Sequence, residues 1–171
     1  MPNPEEIIKN KRKIFTHCYS TSVINLLIGA KKKGAKFEVF CTETRPKLLG
    51  RRTAKALAIA KIPVTIIPDL AGTQVLKDCD LFLFGIEKEI KNQKGQTEKI
   101  LNKTGTINFI ETARKEKIPY FDITRLDIKS TRPLSRKTTK EQLWKNPPSG
   151  IKVLNPGYEE IPAGLVKIVE L

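Results

Sequence analysis

Lys13-Ile-Phe-Thr-His-Cys-Tyr-Ser-Thr-Ser22 is a short β-branched and aromatic run that gives way to hydroxyl residues, and a helical pattern follows it at once. Val23, Ile24, Leu26, Leu27 and Ala30 share one face at helical spacing, Ser20 stands where a cap is needed, and Gly34 stops the helix after Lys31, Lys32 and Lys33. A strand running into a helix start places His17, the only histidine, and Cys18 beside backbone N–H groups that lack partners. Such a start carries partial positive charge, so it can hold an anion and is expected to lower the pKa of a neighbouring thiol. The bland alternative is a cysteine that is merely buried, the usual fate of a free thiol.

The same alternation repeats along the chain. Ile14-Phe15 and residues 37–41, 63–67, 81–85 and 119–123 are short apolar runs. Helical patterns cover 50–60, with Ala54, Ala56, Ala58 and Ala60, and 106–117, with Ile107, Ile110 and Ala113. Strands alternating with helices predict an α/β, Rossmann-like three-layer domain, a mainly parallel sheet with helices on both faces. In such sheets ligands bind beyond the carboxyl ends of the strands. The loops at 16–22, 42–46 and 85–87 and the residue Asp69 fall there, so His17, Glu43, Arg45 and Asp69 are expected to support a pocket. No Gly-x-Gly-x-x-Gly follows a strand and no Gly-x4-Gly-Lys-Ser/Thr occurs, which removes the common dinucleotide and P-loop cradles. No cofactor is expected.

At 171 residues the chain has the length of one domain. Lys and Arg number 32 against 18 Asp and Glu, a net charge of +14 that favours anionic partners such as phosphorylated metabolites, RNA or acidic protein. Aromatic residues make up only 6% and are not interleaved with basic ones, so RNA or ribosome association rests on charge alone. Cys18, Cys41 and Cys79 form no Cys-x-x-Cys pair, which supports neither a disulfide framework nor a metal site and fits a reducing cytoplasm. The longest uncharged stretch, 14–30, is interrupted by Thr16, His17, Ser20, Ser22 and Asn25, and the N-terminus lacks a signal layout, so no membrane association is expected. The chain divides into a short helical segment at 1–12 and the domain at 13–171. Within the latter, 125–150 reads as an extended basic stretch carrying Arg125, Lys129, Arg132, Arg136, Lys137 and Lys140, anchored at Trp144.

Six motifs, taken in order, resemble one family. Thr16-His-Cys-Tyr-Ser20, Thr42-Glu-Thr-Arg-Pro46 with Gly50-Arg-Arg52, Ile62-Pro-Val-Thr-Ile66 with Asp69-Leu-Ala71, Gly85-Ile-Glu87, Asn102-Lys-Thr-Gly-Thr106 and Asn155-Pro-Gly-Tyr158 are similar to the initiation factor 2B alpha/beta/delta family. That family includes ribose-1,5-bisphosphate isomerase and methylthioribose-1-phosphate isomerase. The resemblance implies the C-terminal Rossmann-like domain of longer proteins, whose helical N-terminal half supplies part of the phosphate site. Since only 1–12 precede the first strand, it further implies a partner chain supplying the helical half, or a lost activity. A homodimer is implied as well.

Carried over by position, Cys18 stands at the catalytic cysteine of the isomerases, Ser20, Thr21 and Ser22 at their phosphate-binding hydroxyls, and Asn102 and Lys103 at a substrate-contacting pair. Glu87 stands where the isomerases carry aspartate and where the alpha subunit of the translation factor carries glutamate. Aldose–ketose isomerisation needs one group that takes a proton from carbon and another that moves protons on oxygen. One extra methylene displaces a carboxyl by about 1 Å, a misplacement that can cost ~100-fold. The isomerases' lysine after the fifth strand falls by straight count at Ile128, beside Lys129. The expected function is an initiation factor 2B-like module that binds a sugar phosphate or nucleotide phosphate. The alternative is a ribose-1,5-bisphosphate isomerase with Cys18 and Glu87 as its acid/base pair.

Overall fold

Ile14 and Phe15 are adjacent in the first strand and both fully buried, yet they belong to different cores. A strand sends successive side chains to opposite faces, so a strand buried on both sides must be covered on both sides. In the computed structural model, which describes residues 4–123 and 138–167, the elements follow the order α1 (Pro4–Ile8), β1 (Lys13–Thr16), α2 (Thr21–Lys32), β2 (Glu38–Thr42), α3 (Leu49–Ile59), β3 (Val64–Ile67), α4 (Gly72–Leu76), β4 (Leu81–Phe84), β5 (Lys88–Lys91), β6 (Thr97–Lys103), α5 (Thr106–Lys115), β7 (Tyr120–Asp122) and β8 (Tyr158–Pro162).

Five strands form a parallel sheet in the order β3-β2-β1-β4-β7. On one face Ile14, Val39, Leu81 and Leu83 pack with Val23, Ile24 and Leu27 of α2 and Leu57 of α3. On the other, Phe15, Phe82 and Phe84 pack with Leu76 of α4 and Phe109, Ile110 and Ala113 of α5. This is the expected three-layer α/β arrangement. The helix after β1 is built as the sequence indicates: Ser20 Oγ accepts from the Val23 N–H at 3.4 Å, and Gly34 follows the last turn with φ +90°.

After β3 the chain crosses to the far side of β1, so the strand order reverses between β1 and β4. That is the topological switch point, where a crevice opens between diverging loops. Residues 16–22 and 85–87 meet there.

A second sheet, β5-β6-β8, is antiparallel and is not signalled by the strand–helix alternation. Its first strand, Lys-Glu-Ile-Lys, has no alternating apolar pattern, and β6 pairs with β8 across more than fifty residues, with Asn102 opposite Glu159 and Lys103 opposite Tyr158. Asn102 and Lys103 therefore end a strand rather than occupy a loop. Arg125, Ile128, Lys129, Arg132, Arg136 and Lys137 lie outside the described residues. Trp144 is 46% exposed, so it contributes little of the anchoring expected of it. Among the described residues no helix is long and apolar enough to cross a membrane.

Candidate functional site

The turn out of β1 is held in an unusual backbone conformation. Cys18 has φ +70°, a left-handed geometry that is costly for a side chain with a Cβ. Two hydrogen bonds hold it: the Cys18 N–H donates to Thr44 Oγ1 at 3.0 Å, and its carbonyl accepts from Thr53 Oγ1 at 2.8 Å. Beyond it a cleft of about 160 Å³ opens, walled on one side by His17 to Ser22 and on the other by Gly85, Ile86 and Glu87. The cleft thus gathers Cys18, Ser20, Thr21, Ser22, His17 and Glu87. Ser20 already accepts the Val23 N–H of its own helix, which leaves Thr21, Ser22 and the hydroxyl proton of Ser20 for a ligand.

Neither Asn102 nor Lys103 lines this cleft; Lys103 borders a small separate space beside Thr44, Pro46 and Thr138. Asn102 is a structural tie. It is 2% exposed, its amide nitrogen donates to the Gly85 carbonyl at 3.1 Å, and its oxygen accepts from the Lys103 N–H at 2.8 Å. The Glu87 N–H donates to the Leu101 carbonyl at 3.0 Å. Strand β6 therefore positions the loop that presents Glu87, with Asn102 as the tie.

Burial sets the electrostatics. The Cys18 thiol is pushed up to about 12, chiefly by desolvation, with Glu87 adding to the effect and the Tyr19 backbone opposing it. The lowered thiol expected from the helix start is reversed, because removing a thiolate from water outweighs a partial helix-end charge. Desolvation also lowers His17 to about 4, against the pull of Asp69 and the Thr104 backbone. Both groups are uncharged at neutral pH. Lys103 is only 6% exposed, and its ammonium sits 3.5 Å from the centre of the Tyr158 ring. Among the described residues no carboxylate lies within ion-pair distance of it. A buried cation is costly without a counter-charge, and a ring face compensates only in part. Lys103 is close enough to act on both His17 and Cys18.

His17 also lines a second, larger cavity of about 500 Å³, together with Arg45, Asp69, Thr104, Asn108 and Glu159. Its Nδ1 lies 2.5 Å from Thr42 Oγ1, which in turn is 3.2 Å from Thr44 Oγ1, whereas Nε2 is buried and makes no well-aligned hydrogen bond among the described residues. Asp69 is engaged by backbone, one oxygen accepting from the Thr44 N–H and the other from the Arg45 N–H, each at 2.6 Å. It shapes the loop that presents Arg45. Glu43 borders neither cavity; Arg51 binds its carboxylate through both Nε and a terminal nitrogen. It is thus outside the site that its position in the sequence suggested.

Glu159 is the residue that sequence reading missed. Helix α5 starts after Gly105, which has no side chain to cap it, and Glu159 of β8 accepts the Ile107 N–H at 2.8 Å in its place. Its only sequence signal is its position just after Asn155-Pro-Gly-Tyr158. Among the described residues no cluster of three or more metal-binding side chains forms.

The profile of the Initiation factor 2 subunit family matches residues 2–169. The chain is 28% identical over 172 residues to ribose 1,5-bisphosphate isomerase of Methanocaldococcus jannaschii, covering 95% of this chain and 54% of that protein. It is 32% identical over 117 residues to translation initiation factor eIF2B subunit alpha of Dictyostelium discoideum, covering 68% of this chain and 35% of that one. Among solved structures it is similar to the initiation factor eIF-2B delta subunit of A. fulgidus, with a TM-score of 0.73 and 21% identity over 95% of this chain and 53% of that one. It is likewise similar to eIF-2B of Pyrococcus horikoshii, with a TM-score of 0.71 and 18% identity over 96% and 60%. The chain spans about half the length of the isomerases it matches.

Proposed function

Because the chain belongs to the Initiation factor 2 subunit family, we propose that it is an initiation factor 2B-like module whose switch-point cleft binds the phosphate of a sugar or nucleotide. The observation that carries this reading is Lys103. It is a buried ammonium with no carboxylate partner among the described residues, within electrostatic reach of Cys18 and His17, both uncharged. Lys103 lies behind the cleft rather than in its wall, so it favours a bound phosphate through space, and the start of α2, with Thr21 and Ser22, offers the N–H and hydroxyl donors that hold it. Direct measurement of ribose 5-phosphate binding by calorimetry tests the reading. Saturable binding that is lost in Lys103→Met supports it, and binding unaffected by that substitution overturns it.

A second reading, an aldose–ketose isomerase acting on ribose 1,5-bisphosphate, is favoured by one further observation. Cys18 and Glu87 both line the cleft, Glu87 is near enough to act on the thiol, and the thiol retains its proton at neutral pH. A protonated thiol can donate at oxygen while a carboxylate withdraws a proton from the neighbouring carbon. Formation of ribulose 1,5-bisphosphate, abolished in Cys18→Ser and increased in Glu87→Asp, supports catalysis. No turnover by either the parent or Glu87→Asp protein leaves the binding module as the function. The several relatives that span roughly twice this length motivate an assay with and without a separately expressed helical partner chain. A homodimer and a cytoplasmic setting belong to the same proposal, the latter fitting three buried free thiols.

A further inference from the structure

The end of the molecule opposite this cleft carries a cavity of its own. It has a volume of about 660 Å³ and lies at the amino ends of the strands, between the α1–β1 connection and the α2–β2 connection. Strand β1, four residues long, separates it from His17 by roughly 13 Å at about 3.3 Å per residue. Among the described residues, five basic ones line it, Lys9, Lys11, Arg12, Lys33 and Lys36, together with the carboxylate of Glu6. Ile8, Ala30 and Ala35 contribute apolar surface.

An ordinary structural account covers only part of this charge. Lysines favour the last turn of a helix because the helix end is partially negative, and this explains Lys31, Lys32 and Lys33 after α2. The same account covers Lys9, which follows α1, but not Lys11 and Arg12 farther along that connection, or Lys36, which lies past Gly34. Nearby Asp80 accepts the Arg12 and Lys13 N–H groups at 2.8 and 2.9 Å and also acts on the Lys11 ammonium, so it offsets part of the charge but does not account for Lys36. Like charges gathered around one concavity focus a positive potential in it, which favours an anion there.

We propose that this cavity is a second anion site, for a compact polyphosphate such as the triphosphate moiety of a nucleotide. The volume suits a small ligand. Among the described residues no aromatic side chain lines it, so neither a nucleobase nor a single-stranded nucleic acid finds a stacking platform there, and recognition falls to charge and to the Asn10 amide. The site is independent of the phosphate cleft and does not rest on its assignment.

The test is calorimetric titration of the full chain with sodium tripolyphosphate at about 0.15 M salt, where charges farther apart than about 8 Å are largely screened. The variant is the double charge reversal Lys9→Glu and Lys36→Glu. Both residues are exposed, so folding is not at stake, and the neutral pair Lys9→Gln and Lys36→Gln provides a second reading. The control is Lys94→Glu with Lys115→Glu, which changes net charge equally at exposed positions elsewhere. Lys103→Met removes any contribution from the cleft. The expected result is saturable binding that persists in Lys103→Met, weakens about tenfold or more in the Lys9/Lys36 reversal, and is little changed in the control. Equal weakening in the control pair overturns the proposal in favour of general charge attraction. Binding of a mixed-sequence RNA oligonucleotide through Lys9 and Lys36, without tripolyphosphate binding, overturns it in favour of a nucleic-acid surface.

Discussion

The Asp69 carboxylate, just past β3, accepts the Thr44 backbone N–H at 2.6 Å through one oxygen, leaving the other for the Arg45 N–H. Thr44 has φ +58°, and its hydroxyl accepts the Cys18 N–H, so one acidic side chain stabilises the loop that in turn holds the cysteine turn. The site is built from β3 inward.

Replacing Asp69 by alanine should therefore destabilise the fold and loosen the turn around Cys18. Two hydrogen bonds to a charged acceptor are lost, for about 2–3 kcal/mol in total. Urea unfolding measures the change. Asp69→Asn should recover only part of it, since an amide offers one acceptor oxygen where two N–H groups converge. A loss below about 0.5 kcal/mol in the alanine variant contradicts this role.

Two glycines should respond with opposite sign to alanine. A Cβ at Gly50, in the first turn of α3, would stand 1.7 Å from the Thr42 carbonyl oxygen, a backbone atom that cannot swing away. Gly50→Ala is expected to cost ~3 kcal/mol or more, or to prevent folding. In α2, a Cβ at Gly29 meets nothing within 4 Å, so Gly29→Ala should stabilise by about 0.5–1 kcal/mol. Thermal melts of the two variants give the signs directly.

Stability should depend on pH through the single histidine. Folding lowers His17 from 6.5 to about 4, so between those values the unfolded chain binds the extra proton. Stability then rises with pH across that window, is complete above about 6.5, and is lost as pH falls toward 4. The full effect is on the order of 3 kcal/mol. Urea midpoints at pH 7 and pH 5, compared with the same pair for His17→Phe, isolate it. An equal pH slope in both proteins rules His17 out as the source.

All three thiols should resist alkylation in the native state. Cys18 and Cys79 are raised to about 12 and Cys41 to about 11 by burial. With a pKa of 12, roughly one thiol in ten thousand is ionised at pH 8, and the thiolate is the reacting species. Iodoacetamide labelling followed by mass spectrometry should show little modification until denaturant is added. Rapid stoichiometric modification of Cys18 at pH 7 would restore the activated nucleophile that its place before a helix suggested.

Much of the fold is legible because it follows from local periodicity. Ile14 and Phe15, Leu81 and Phe82, and the Val23, Ile24 and Leu27 stripe specify strands covered on both faces and the helix between them, and the polar loops fall on the carboxyl rim by topology alone. Placing His17, Cys18, Ser20 to Ser22 and Glu87 around one cleft needs only those rules. The β5-β6-β8 sheet is illegible for the opposite reason. Its strands are short or charged, and β8 reaches β6 from far along the chain, so no local pattern announces it.

The amino-acid sequence by itself determined the strand–helix order, the cap at Ser20 and the residues brought to the switch point, since each depends on neighbours a few positions away. Tertiary structure alone decided what those residues are chemically. It buried Cys18 and His17 so that both stay neutral, turned Asn102 and Asp69 into scaffold ties, and drew Glu43 aside to Arg51. It also left Lys103 in the interior against Tyr158. The physical reason is desolvation, which depends on everything packed around a group, whereas periodicity depends only on the chain on either side of it.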